Sequence, residues 1–306
     1  MTAIHYSALP DRSVVEISGD EARSFLQGMI SNDIDKLAPG RAIYAAFLTP
    51  QGKYLFDFFI VEQDGVLLFD VEAARRDELI KRFTLYKLRA RVSFKDRAGD
   101  LAVVALWGAD TAAALGLGAV PGMAKALEDG RVYVDPRLID AGARAILPAT
   151  TLTATLNSVG ALATLPGEYD RHRLALGLPD GSRDLIVEKS LLLESGFDEL
   201  QGVDFEKGCY VGQELTARTK FRGLVRKRLL RVDIDGHLPA PGTPIMAGGI
   251  ELGEMRSGRD RVGLALLRLD RLAKARTQGA AISAGDVALT PVTPGWAVLP
   301  EIDEIG

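Results

Sequence analysis

The chain has 306 residues, with 37 Lys and Arg against 41 Asp and Glu, a formal net charge of −4 and a single cysteine. That length suits two domains or one with an appendage, and the acidic balance argues against a generally basic nucleic-acid binder. One cysteine excludes an internal disulfide framework and any metal cage built from the cysteines of one chain, while 47% hydrophobic residues leave ample core for a globular fold.

The opening stretch carries Asp11, Glu16, Asp20 and Glu21 and lacks both a basic head and a continuous apolar run. A cytoplasmic location is therefore expected, or an organelle matrix only if a presequence has been removed. No run reaches the roughly 18 apolar residues of a membrane span. Residues 14–18 alternate as a short strand, and Ala22, Phe25, Leu26, Met29 and Ile30 then recur at helical spacing. Residues 42–48 and 54–61 flank Pro50-Gln51-Gly52 and predict a hairpin, followed by a third strand at 66–71. Asp57 lies in that hairpin among Phe56, Phe58 and Phe59. Alternation turns it away from Phe56 and Phe58 and predicts that it faces solvent, because an unpaired carboxylate in an apolar core is costly.

Residues 72–86 predict a helix and 89–94 a strand, which together complete a ferredoxin-like α+β unit. A second such unit starts with strands at 101–107, 131–134 and 144–147 and a helix near 110–115. Residues 116–122 and 148–160 are expected to be loops. A helix is predicted over 168–176, broken by Gly177, Pro179 and Gly181. Residues 224–234 alternate around basic side chains as a strand. From 235 on, Pro239, Pro241, Gly242, Pro244, Gly248 and Gly249 punctuate short runs at 252–256, 262–269, 280–283 and 287–290. Those runs, with a short helix at 270–275, predict a small β-barrel. The expected domains are 1–234 and 235–306.

Chemistry concentrates in residues 207–223, KGCYVGQELTARTKFRG. Cys209 stands between Gly208 and Gly212, and glycines on both sides permit positive φ and close backbone approach. Lys207 and Arg218 would favour the thiolate, the reactive and metal-ligating form. Gln213 and Glu214 would fix the loop by hydrogen bonds, or else form the first turn of a helix, where a carboxylate suits the dipole. Judged on residue type alone, Cys209 is equally a reactive thiol or a small buried hydrophobe. Arg218, Lys220, Arg222, Arg226, Lys227, Arg228 and Arg231 follow with no acidic residue between them. Such a run can meet phosphates or form a salt-bridged face. His5, His172 and His237 lie far apart in sequence, so no close ligand pair anchors a zinc site with Cys209 and none is expected.

KGCYVGQE resembles the signature of the YgfZ family, folate-binding-type proteins that support iron–sulfur cluster assembly and repair and are related to the aminomethyltransferase of the glycine cleavage system. The longer run LLLESGFDELQGVDFEKGCYVGQELTARTKFRGLVRKRL resembles the branch containing the mitochondrial iron–sulfur assembly factor. GDEARSFLQGMISNDI, TPQGKYLFDFFI and RHRLALGLPDG match as well, so the resemblance runs from about Gly19 to Ser257. It implies an α+β, aminomethyltransferase-like fold, with ferredoxin-like α/β subdomains around a central cavity plus a small C-terminal β-barrel. It also implies Cys209 as an essential thiolate, acting as sulfur acceptor or as a cluster ligand shared with a partner. Lys207, Gly208, Tyr210, Gly212, Gln213, Glu214 and Arg218 become candidate cofactor-binding residues, and Asp57 a group acting on a tetrahydrofolate. The implied partners are an A-type iron–sulfur carrier and client iron–sulfur enzymes, met by a chain that is monomeric in isolation and bound to no membrane or nucleic acid.

The chain departs from the aminomethyltransferase pattern at DAGARAIL, where Arg144 stands in place of a glutamate presented to the pterin. A guanidinium has no acceptor and cannot take the hydrogen bonds of a neutral pterin edge. Two further functions stay open: a folate-dependent one-carbon transferase using Asp57 as acid–base group, and an RNA-binding or RNA-modifying role of the basic run. Clusters need about four protein ligands, so one cysteine per chain favours a transient carrier over a stable iron–sulfur protein.

Overall fold

A computed structural model describes residues 4–165, 167–223 and 225–300. They form two compact units. The first takes in residues up to 50, 55–169 and 200–213, and the second takes in 51–54, 170–199 and the chain from 214 on.

The first unit is built on two sheets. Its elements are β1 (Ile4–Ala8), β2 (Arg12–Ser18), α1 (Ala22–Gln27), β3 (Ile43–Leu48), β4 (Tyr54–Gln63), β5 (Val66–Glu72), α2 (Arg76–Lys87), β6 (Ser93–Asp96), β7 (Leu101–Trp107), α3 (Thr111–Ala114), β8 (Ala124–Leu127), β9 (Gly130–Val134), β10 (Ala143–Pro148), α4 (Leu152–Ser158) and β11 (Ala161–Ala163). One sheet has the order β3-β4-β5-β2-β6 and the other β11-β1-β7-β10-β9-β8. Both predicted α+β units are present. The second is enlarged by β1, which pairs with β7 and β11 instead of joining the sheet of its neighbour β2.

Alternation sets two faces on the five-stranded sheet. Phe47, Phe58 and Phe69 lie on one face and meet Phe83 of α2, whose ring is wholly buried and sits edge-on to Phe25 of α1 at 5.8 Å. Tyr44, Asp57, Phe59 and Asp70 take the opposite parity. Both faces are covered, so every residue of β4 from Tyr54 to Val61 is buried.

The second unit carries most of α5 (Glu168–Ala175) and α6 (Gln213–Phe221), then β12 (Lys227–Asp235), β13 (Pro244–Ala247), β14 (Ile250–Arg259), β15 (Val262–Arg268), α7 (Leu269–Thr277), β16 (Ile282–Ala284) and β17 (Val287–Val292). These six strands close a barrel in the order β12-β15-β14-β13-β16-β17. Leu230, Val232, Ile245, Leu252, Met255, Ala265 and Leu267 fill it, and Leu272 of α7 adds to that core. Arg173 of α5, 2% exposed, ties its helix to this unit by reaching Asp170, Asp184 and the Ser257 hydroxyl.

Three expectations need correction. The barrel includes β12, so its first strand is Lys227–Asp235 and not one of the runs after 235. The Pro- and Gly-rich texture begins only after the first barrel strand, which reads like the chain before it. Residues 148–160 are not all loop, because α4 buries Thr155 and Leu156 there. The last strand of the five-stranded sheet is Ser93–Asp96 and not 89–94, since Leu88 takes a positive φ of 48° and the chain turns before pairing with β2. Among the described residues no helix is long and apolar enough to cross a membrane.

Candidate functional site

The signature loop is held by the turn that follows α1. Four residues of the turn, Gly28, Ile30, Ser31 and Asn32, make six hydrogen bonds to residues 201–211. Val211 N donates to Gly28 O at 3.0 Å and Asp204 N to Ser31 O at 2.9 Å. Ser31 Oγ donates to Gly202 O at 2.6 Å, and Asn32 Nδ2 to Gln201 O at 2.8 Å. Lys207 Nζ donates to both Ile30 O and Asn32 O at 2.7 Å. The turn is itself fixed to β3, because Ser31 Oγ accepts from Ala46 N and Asn32 Nδ2 donates to Tyr44 O. Within the loop the Asp204 carboxylate accepts from the backbone N–H groups of Glu206 and Lys207. Burial works against its charge, but Lys36 and those N–H groups hold it below the usual carboxylate range.

On this seat the loop leaves Cys209 exposed while Lys207 and Tyr210 on either side are buried. The buried-hydrophobe alternative for Cys209 therefore falls. Lys207, expected to act on the thiol, directs its ammonium at two backbone carbonyls and lies 5.0 Å from the Tyr210 ring centroid. Desolvation lowers its pKa to about 8. The flanking glycines differ in their roles. Gly212 takes φ +82°, which a side chain would resist, whereas Gly208 has no positive φ and open space where a Cβ would stand. Gln213 Oε1 accepts from Tyr210 N, closing the loop onto the start of α6. Glu214 is exposed in the first helical turn and Arg218 is exposed one turn on.

The second cluster is a charged layer between the two sheets of the first unit. Asp57, only 5% exposed, accepts from the Tyr44 hydroxyl at 2.9 Å. The alternation that predicted a solvent-facing Asp57 gave the correct face, but that face is covered by the second sheet. Asp70 receives Arg12 on one oxygen and Arg144 on the other, at 2.6 and 2.5 Å. Arg144 also donates to the Tyr169 hydroxyl at 3.3 Å and lies over the Phe59 ring at 4.1 Å. Arg137 forks onto Asp135, and its guanidinium is 4.8 Å from the same Phe59 centroid. Burial alone would raise the Asp135 pKa, yet Arg137 holds it below the ordinary carboxylate value. Burial and the neighbouring Asp57 push Tyr44 well above the ordinary phenol value. Tyr133 stands opposite Arg144 in the β9–β10 register, and its buried hydroxyl has no hydrogen-bond partner among the described residues.

Arg144 thus belongs to the layer, but its guanidinium serves Asp70 and Tyr169. Sequence reasoning missed Ser31, Asn32, Asp70 and Asp135. A short polar run after an amphipathic helix (Ser31-Asn32-Asp33) was the available signal for the seat. His5 lies on β1, His172 on α5, and His237 after β12. Among the described residues no three His, Cys, Asp or Glu side chains gather as a metal-binding group.

Residues 11–119 match the GCVT N-terminal domain and residues 226–299 the CAF17 C-terminal beta-barrel domain. The iron–sulfur cluster assembly factor IBA57 homolog, mitochondrial, of Mycosarcoma maydis is 34% identical over 86% of this chain and 73% of its own length. The mitochondrial iron–sulfur cluster assembly factor IBA57 of Homo sapiens is 33% identical over 94% of this chain and 84% of its own. The solved glycine cleavage system aminomethyltransferase T from Bartonella henselae shares the fold, with TM-score 0.75 over 95% of this chain and 85% of that one, at 15% identity. The fold is therefore aminomethyltransferase-like, as the sequence implied.

Proposed function

The chain belongs to the family of the IBA57 iron–sulfur cluster assembly factors, and from that premise we propose that it is itself such a factor, supporting maturation of [4Fe-4S] proteins through the Cys209 thiolate. The observation that carries this reading is the exposed Cys209 on a loop whose backbone is pinned by buried hydrogen bonds. A thiol meant only for packing would be covered, and one on a loose loop would have to be ordered at each encounter.

One thiolate fills one iron coordination position, and a cluster needs about four protein ligands. The cluster is then cargo, shared with a partner that contributes further cysteines, such as an A-type iron–sulfur carrier, and passed on to client enzymes. Assignment to YgfZ within the wider family is part of the same proposal, resting on KGCYVGQE.

Tetrahydrofolate remains the proposed ligand of the first unit. What supports it is chemical: Asp57 is a buried acceptor and the Tyr133 hydroxyl an unsatisfied buried donor, the two kinds of group that the polar edge of a pterin takes. When bound, such a group would supply a one-carbon carrier. Arg144 would support it indirectly, by holding Asp70 and Tyr169.

Anaerobic size-exclusion chromatography with iron analysis tests the thiolate reading. The isolated chain should elute colourless, and a mixture with an A-type carrier should give a coloured heterodimer that Cys209→Ala abolishes. A stoichiometric cluster on the chain alone, or equal colour with Cys209→Ala, would overturn it. For folate, calorimetric titration with tetrahydrofolate should saturate and weaken in Asp57→Asn; no binding up to about millimolar ligand removes the cofactor from the account.

A further inference from the structure

Seven basic residues between Arg218 and Arg231 have no acidic residue among them in sequence, but the fold neutralises several. Lys220 pairs with Asp198, Arg228 with Glu199 at 2.7 Å, and Arg231 with Asp233 at 2.7 Å. Lys227 lies near the Glu194 carboxylate. Arg218, Arg222 and Arg226 are left exposed, with no ion pair among the described residues. Phe221, at the end of α6, exposes 76% of its surface.

Positions 218, 221 and 222 are three and four apart, and Arg222 N donates to Arg218 O, so the helical turn continues through Arg222. Arg218, Phe221 and Arg222 therefore share one stripe of the helix. Arginine and aromatic side chains are the types most enriched at the energetic centres of protein interfaces. A solvated face would be expected to carry lysine and glutamate here. Exposed Glu214, one turn before Arg218, lies on the same stripe and bounds its basic part at the N-terminal end.

We propose that the Arg218–Phe221–Arg222 stripe is a docking surface for an acidic protein partner with an apolar pocket for the Phe221 ring. Charge decides the class of occupant. The chain as a whole is acidic, so a local basic stripe selects by its own field an oppositely charged patch. Two exposed cations with one aromatic ring are too few for the repeated phosphate contacts and base stacking that a nucleic-acid strand requires. The inference rests on the proposed assembly role, because it assigns the stripe to the cysteine-bearing carrier that would share the cluster. The helix bearing it starts four residues after Cys209 in sequence.

The test is a binding titration of the full chain with a purified A-type carrier, apo and cluster-loaded, monitored by fluorescence anisotropy. Phe221→Ala should weaken binding roughly tenfold, and Arg218→Glu with Arg222→Glu at least about tenfold. Raising NaCl from about 50 to about 500 mM should weaken the wild type but leave the charge-reversed variant nearly unchanged. Cys209→Ala should bind the apo carrier as the wild type does and fail only to form colour. Wild-type affinity in both stripe variants, or no binding of the carrier by the wild type, would overturn the docking surface. So would tighter binding of a 20-nucleotide single-stranded RNA probe than of the carrier, lost in the same variants. Equal colour with Cys209→Ala would refute the thiolate and leave the surface standing. Thermal melts by circular dichroism should match across the set, since every substituted side chain is exposed.

Discussion

Replacing Asn32 by Ala should loosen the loop that carries Cys209 without unfolding the first unit. Asn32 is 5% exposed, and its amide donates to Tyr44 O at 2.7 Å and Gln201 O at 2.8 Å while its oxygen accepts from Asp33 N at 2.8 Å. Asp33 N lies near solvent and can bond to water instead. The bonds to the two carbonyls are the costly losses, because each hydrogen bond removed forfeits about 1 kcal/mol net. The seat loses one of its six bonds and the turn beneath it one tie to β3, so the loss of about 2 kcal/mol should fall mainly on local opening of that turn with residues 201–211. At 1.4 kcal/mol per factor of ten, amide hydrogen exchange there should quicken about thirtyfold. Exchange in β4 and β5 should change far less. Native-state hydrogen exchange read by mass spectrometry over peptides covering 201–211 would measure it, with Lys81→Ala on exposed α2 surface as control. Exchange within about threefold of wild type would mean that the side chain does not bear on the loop, and the account of the seat would fail.

Asp70→Asn leaves Arg12 and Arg144 buried without their shared counter-charge, so urea unfolding of the first unit should lose about 3–5 kcal/mol; a loss below about 1 kcal/mol would contradict the paired layer. Gly212→Ala forces a Cβ into φ +82° and should cost about 1 kcal/mol, whereas Gly208→Ala enters open space and should leave the denaturation midpoint where it is. Burial raises the Glu194 pKa despite Lys227, Lys53 and Arg256 nearby. A carboxyl raised in the folded state favours folding below its unfolded pKa and loses that contribution as pH climbs through the folded value. Glu194→Gln should therefore raise the urea midpoint of the second unit at pH 7 and bring little change at pH 4, and an equal or lower midpoint at pH 7 would refute the sign.

Periodic signals carried much of the fold. The hairpin of 42–48 and 54–61 with its third strand at 66–71, the strand Leu101–Trp107 and the C-terminal barrel were legible because alternation and turn residues act locally. What was not legible was non-local. Nothing in Ile4–Ala8 says that it pairs with a strand about a hundred residues on, and nothing around Asp57 says that a second sheet covers its face. The same limit explains Lys207. Its neighbour in sequence is Cys209, so a role in tuning the thiol followed, yet its ammonium meets carbonyls 175 and 177 residues away. Cys209 itself was undecided by residue type, and only its exposure separates a reactive thiol from a packed one.

The two clusters place opposite demands on one unit. Three arginines and three aspartates lie between its sheets, where apolar side chains of similar volume would be at least as stable. Phe59 sits among three guanidinium groups, and Tyr133 keeps an unsatisfied hydroxyl, so the layer is not optimised as core. Around Cys209 the pattern reverses. There the Asp204 carboxylate and the Lys207 ammonium are satisfied by backbone N–H groups and carbonyls, the Lys207 and Tyr210 side chains are buried, and the thiol is left outside. A rigid seat lowers the ordering cost of each encounter, and an exposed ligand puts no barrier in the way of release. The proposed role, accepting a cluster and then giving it up, needs both properties. A stable iron–sulfur site would instead enclose its cluster with several cysteines, which this chain does not possess.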